Sequence, residues 1–479
     1  MVGTINPASN GEIGGRFAAA VSAISEYRLI PRLETFPTVV SFAQTTLGKM
    51  ITLAVFALGL FFVLPDRFSA LFLTSMLGLM TFAPEYRHFL LAVAPITIVL
   101  AQTSKDPLRV GLNLAVIAVG IFLYWCAMRW PKSWFGQRPV LFLLTGFTTL
   151  ILVACAATPR SLPHSILWNL VDLMASYVWF IGYALIDRNS KASRDLPLEL
   201  ASFHPLWGST NTPFPKGAAY LRRIEARNPE QLAIVQLKGL KLLAWAILLS
   251  LFSAIWYRFF HGYLRIPTSA QALAMSVRGT PIAWRLRWES QILFFFEVTL
   301  DFAIFGNKFI SVCRMAGFNA LRNSYRPLSS RTIAEFFNRF YYYFKELLVD
   351  LFFYPTFLRY WKKHRRLRTI FATFVAVAFG NSFYHLTRDW GFIRNDGPWK
   401  ALANYQVLFF YNVILATALS VSQLRKRGPR PTGLLRGRIV PGFGVIFFYC
   451  VLSVFGDEAR LYPLAVHLKY LAGLFFIHF

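Results

Sequence analysis

Apolar runs recur along almost the whole chain, each bounded by arginine, lysine, proline or glycine, and they do not alternate with polar residues. They lie at residues 51–64, 68–82, 89–101, 110–128, 140–157 and 166–186, and again at 242–260, 290–305, 401–421, 439–454 and 464–479. A helix of about 20 such residues crosses a bilayer and satisfies its own backbone hydrogen bonds while doing so. A membrane barrel would show short alternating strands instead. Short connections make successive helices antiparallel. The expected fold class is all-α: a polytopic membrane helical bundle of about 11–13 membrane segments, with re-entrant or interfacial helices around a central tunnel.

Composition points the same way. Charged residues are 15% of the chain, against roughly 25% in soluble domains. The formal net charge is +28, and basic residues collecting in inner loops account for it, with contact to anionic membrane lipids as a consequence. Binding of nucleic acid would need a basic soluble domain, and none is apparent. Cys126, Cys155, Cys313 and Cys450 sit in apolar or near-apolar stretches with no pair at metal spacing. They read as small buried hydrophobes, so neither a metal nor a disulfide is expected. The first residues lack a charged segment followed by an apolar core. The first span is therefore expected to act as an uncleaved insertion signal.

Four regions follow. Residues 1–49 form an amphipathic cytoplasmic arm, in which 17–29, flanked by Arg16, Arg28 and Arg32, suits a helix on the inner surface. Residues 50–187 are the N-terminal transmembrane helices, 188–241 a cytoplasmic loop, and 242–479 the core, with its motifs at 290–390. The loop should hold two short helices, 218–227 and 229–237, broken at Asn228-Pro229. It either covers a cofactor entrance or is a surface connector.

Between Asp301 and Asp389 polar residues enter segments that otherwise belong in lipid, and such residues are expensive there. Arg322, Arg326, Arg331 and Arg339 precede an apolar stretch; Arg359, Lys362, Lys363, Arg365, Arg366 and Arg368 follow it. Both clusters should face the cytoplasm, yet only about twenty residues separate them, barely one crossing. Residues 341–357, interrupted by Lys345, Glu346 and Asp350, are therefore expected to dip in and return, or to lie along the interface. The cavity so formed would be lined by His385. The basic run 425–438 falls on the same side as 359–368, which places the C-terminus inside with the N-terminal arm.

Among eight histidines, His88, His164, His204, His261 and His364 lie in loops or at span ends, and His467 and His478 near the ends of the last helix. His385 instead ends an apolar helix, after Asn381, Ser382 and Tyr384. A neutral imidazole there can act as general base toward a hydroxyl, or simply bond a neighbouring helix. Asp301 is either functional or paired with Lys308 or Arg314, and pairing is favoured. Residues 341–343 are three tyrosines, either an interfacial belt or a source of a hydroxyl in the cavity.

Taken in order, DF at Asp301–Phe302, RMAGF at 314–318, NSYRPLSSRTIAEFFNRFY from Asn323 and the Tyr384-His385 pair resemble the membrane-bound O-acyltransferases. The branch in question contains alginate O-acetyltransferase and the D-alanyl transfer protein of teichoic acids, with its DFSGY…RMLGF…NFNRPYLARSIxEFWRRWH…WHG pattern. The resemblance covers residues 290–390. Tyr341 stands where the branch carries its first histidine, and Leu386 where it carries glycine. The resemblance implies His385 as the catalytic base. Tyr341, or Asn338 one turn earlier, would be the oxyanion donor, with Asp301, Arg314, Arg339 and Tyr384 supporting. It further implies no bound cofactor, an acyl thioester such as acetyl-CoA as co-substrate, and an exported polysaccharide or extracytoplasmic acyl-accepting protein as partner. The setting would be a bacterial cytoplasmic membrane. Two other readings stand beside this one: a catalytically silent scaffold or assembly subunit of a membrane complex, and a transporter or lipid-handling protein, which paired gapped helices would mark.

Overall fold

The computed structural model describes residues 29–64, 66–103, 106–188, 195–203, 205–208, 212–425, 433, 435–456 and 462–477. Most of the arm's expected surface helix, and the middle of the basic run at 425–438, lie outside these residues.

The described chain is helical, with one isolated antiparallel bridge between Glu225 and Phe318. Local sequence sets the helix starts. Thr45 caps Thr46–Val63 by accepting the Gly48 N–H at 3.0 Å. Asp106, Ser161 and Asn228 cap the helices Pro107–Arg129, Leu162–Asp187 and Pro229–Tyr257, each with a proline in the first turn. The proline gives up an N–H that has no partner at that position anyway.

Among the described residues, eight helices are long and apolar enough to cross a membrane, or up to nine if the bent pair Arg67–Phe82 and Pro84–Ala94, at 115°, is one span. Phe62, Ile255 and Phe443 on three of these segments are 76, 67 and 68% exposed. A polytopic membrane bundle is the fold in which lipid covers such faces. Other expected segments are helical too, but shorter or more polar. The last apolar run yields a helix of only 11 residues, Leu464–Leu474, and Trp284–Met315 carries charged residues along its length.

Two hydrophobic cores organise the bundle. One gathers Val178, Trp179, Leu347, Ala376, Leu415 and Tyr449; the other gathers Phe56, Leu77, Leu198, Phe214, Leu242 and Ile310. Tyr341 packs against both. The helices Pro229–Tyr257 and Trp284–Met315 come close at Gly239, where a Cβ would stand 3.0 Å from the Ser311 carbonyl oxygen.

The loop at 188–241 is not a surface connector. Leu198, Trp207, Phe214, Ala218 and Leu221 are buried in the second core. Its two expected helices appear as Ala218–Ile224 and as the start of Pro229–Tyr257, which continues into the next span without a break.

Residues 342–359 are helical throughout, with a π turn at Val349–Phe353. The segment does not fold back on itself, so the dip-and-return geometry is not adopted. At 1.5 Å per residue its 18 residues extend about 27 Å, against a hydrocarbon thickness near 30 Å.

Candidate active site

His385 sits on the helix Arg365–Arg388, which contains a second π turn, Val375–Gly380. The two π turns pack together: a Cβ on Gly380 would stand 2.8 Å from the Phe352 ring. Below His385 a buried polar chain locks the helix to Gln406–Leu424. Asn381 Nδ2 donates to Asn412 Oδ1 at 2.6 Å, and Asn412 Nδ2 to Ser382 Oγ at 2.8 Å. The Tyr405 hydroxyl reaches the His385 carbonyl at 3.3 Å. The three polar residues before His385 are thus divided: Asn381 and Ser382 hold helices together, and Tyr384 faces the site.

The Tyr384 phenol is buried against Trp179 and Phe344, and its hydroxyl shares a 2.7 Å bond with Thr212 Oγ1. Tyr341 donates to the same Thr212 oxygen at 3.2 Å. Two phenols 43 residues apart in the sequence therefore meet on one hydroxyl supplied by the loop. His385 stacks edge-on against Tyr384, with ring centroids 5.6 Å apart. Its Nδ1 lies 4.0 Å from Asp389 Oδ2, with side chains 21 and 15% exposed. That distance is an electrostatic contact, too long for a hydrogen bond. Arg388 holds the Asp389 carboxylate through Nε at 2.8 Å and Nη2 at 3.3 Å. The imidazole thus sits beside an aromatic ring and a carboxylate, partly open.

Four residues on from Thr212, Lys216 enters a second polar cluster. Its ammonium lies 2.5 Å from Glu346 Oε2 and 2.7 Å from Asp350 Oδ2, Lys345 bonds Glu346, and the Tyr183 hydroxyl donates to Asp350 at 3.2 Å. Burial disfavours the Lys216 charge, but Asp350 and Glu346 outweigh it and raise its pKa above the ordinary lysine value. The three charges that interrupt the apolar run at 341–357 are thus mutually satisfied inside the protein.

The other expected site residues are placed elsewhere. Asn338 is exposed on Ile333–Phe340, and Tyr341 breaks that helix with φ −139° and ψ 78°, so the two do not share a helical face. Asp301 is exposed and forms no ion pair among the described residues. Arg314 turns instead to the Ala320 carbonyl, at 2.9 Å through Nε and 2.6 Å through Nη2. This closes the turn at Gly317, whose φ is +96° and whose missing Cβ leaves room for the Arg87 guanidinium. Arg339 pairs with Glu335 at 2.6 Å and donates to Ser329 at 2.8 Å, closing the preceding loop onto its helix. Of the three tyrosines, Tyr343 is core: fully buried, it donates to the Leu321 carbonyl at 3.0 Å.

No family model matches the chain, and no curated protein does either. Sequence reading missed Thr212, Lys216 and Asp389. The first two lie in a loop with no local pattern, although Asp389, one turn after His385, is at a spacing that brings side chains together on a helix.

Proposed function

We propose that the protein is a membrane-bound O-acyltransferase of the kind its motifs resemble. It would move an acyl group, acetyl in the resembling branch, from a cytoplasmic thioester to a hydroxyl of an exported polysaccharide or an acyl-accepting relay protein. The observation that carries the reading is the meeting of Tyr341 and Tyr384 at Thr212, with the half-open His385 imidazole beside them and Asp389 next to its Nδ1.

In this reading Asp389 favours the tautomer with its proton on Nδ1, leaving Nε2 as the base. Nε2 takes the proton of the acceptor hydroxyl as its oxygen attacks the thioester carbonyl. The Tyr341 hydroxyl turns from Thr212 to the developing oxyanion. The carbon–sulfur bond then breaks, the thiolate takes the proton from the imidazolium, and an ester and a free thiol leave. Asn338 has no part in this scheme, because its side chain is exposed on a separate helix.

His385→Ala in native membranes, assayed for acyl transfer from acetyl-CoA to an alcohol acceptor, should lower the rate by at least about a hundredfold with protein level unchanged. Transfer at the wild-type rate would remove His385 from the chemistry. The second reading, a silent scaffold, draws on Tyr341 being engaged with Thr212 at the position of the branch's first histidine. It requires that wild-type protein also lack transfer.

A further inference from the structure

A cleft of about 330 Å³ opens where residues 32–34 meet the helix Pro229–Tyr257 and the C-terminal end of Trp284–Met315. Arg32, Lys238, Lys241, Arg314 and Arg322 line it, with Glu34 as the one carboxylate. Lys238 and Lys241 lie one turn apart on Pro229–Tyr257, so both point the same way. Glu34 accepts from Lys241 at 3.2 Å. The other four cations form no ion pair among the described residues. Arg314, itself buried, spends two of its donors on the Ala320 carbonyl, which fixes its guanidinium at the cleft wall. Burial in this crowd of like charge holds the Arg322 pKa below its ordinary value, desolvation being the main cause. The cleft thus gathers mutually repelling charges, Arg314 among them fixed by its backbone contact, and an anion would relieve the repulsion.

We propose that this cleft binds a phosphate-bearing ligand, best matched by two linked or neighbouring phosphates. Five cations against one carboxylate favour a multiply charged anion. Three guanidiniums, that of Arg314 through the donors the Ala320 carbonyl leaves free, offer the planar fork to phosphate oxygens, and two ammoniums add point charges. The volume lies at the small end of ligand sites. A soluble diphosphate and a phospholipid headgroup share this chemistry. The inference stands apart from acyl transfer, since neither His385 nor Thr212 lines the cleft.

The test uses full-length protein purified in neutral detergent, with inorganic pyrophosphate as probe in titration calorimetry. In parallel, nanodiscs of phosphatidylglycerol or phosphatidylcholine are analysed for retained lipid by native mass spectrometry. Saturable pyrophosphate binding, weakened about tenfold or more by Arg322→Gln and by Lys238→Gln and kept by Lys238→Arg, supports a soluble ligand. Selective retention of phosphatidylglycerol, lost in the same Gln variants, supports a headgroup. The Lys238→Arg protein controls for misfolding. Absence of both, or binding equal in wild type and Gln variants, overturns the proposal.

Discussion

Thr212→Val is the sharpest probe of the site, because it removes one oxygen and keeps the shape. In the structure that oxygen serves the Tyr384 hydroxyl at 2.7 Å and the Tyr341 hydroxyl at 3.2 Å. A net contribution of about 1 kcal/mol per bond puts the loss near 2 kcal/mol, or about 1.2 kcal/mol at the bilayer average of about 0.6 kcal/mol per bond. Tyr384→Phe should cost about 1 kcal/mol by the same reasoning. The double variant should then lose about 2 rather than about 3 kcal/mol, since the shared bond can be lost only once. Stability can be followed by intrinsic tryptophan fluorescence during SDS titration of mixed micelles; the chain has 13 tryptophans. Repeating the cycle with Tyr341→Phe should give a smaller coupling, in keeping with its longer bond. Additivity within about 0.3 kcal/mol for both pairs would mean that the phenols do not converge on Thr212, and the site described here would be wrong.

Other consequences are directly measurable. Gly317→Ala places a Cβ 2.7 Å from the Arg87 guanidinium at φ +96°, and should lower stability by about 1–3 kcal/mol in the same titration. Burial pushes the Glu225 carboxyl up, but His88 and Arg87 outweigh it and hold its pKa below the ordinary 4.5. Its stabilisation is therefore complete above that value and lost as pH falls through the lowered one. Thermal unfolding from pH 6 downward should show a loss in wild type that is flattened in Glu225→Gln; parallel curves would contradict the assignment. For topology, Leu328→Cys and Lys363→Cys, both at exposed positions, should label from the same membrane face if 342–359 lies along the interface. Labelling from opposite faces would make that helix a crossing.

The bundle was legible because hydropathy alone excludes everything else, and because Thr45, Asp106, Ser161 and Asn228 announce helix starts. His385 stood out as a polar group closing an apolar helix, and the structure places it beside Tyr384 and Asp389. Pairings across distance were not. Asp301 and Lys308 lie seven residues apart, which on a helix is about 10.5 Å along the axis, beyond an ion pair. Arg314 had a backbone carbonyl six residues on as its partner, a choice made by the Gly317 turn and invisible to charge pairing. Thr212 and Lys216 sit in a stretch without periodicity, and only the tertiary fold brings them to Tyr341 and Asp350. Asn338 failed for a local reason: the helix that would have aligned it with Tyr341 ends at Phe340.

The π turn at Val375–Gly380 amounts to one surplus residue in an otherwise α-helical segment. Removing a single residue there, Ala376 for instance, would let the segment relax to regular α geometry. The turn itself absorbs that residue, so what lies beyond the cut would keep its facing and His385 would stay beside Tyr384. In a regular α segment the same deletion would swing everything beyond it by about 100°. The π turn is thus a place where this helix can lose a residue without turning the imidazole from Thr212's surroundings.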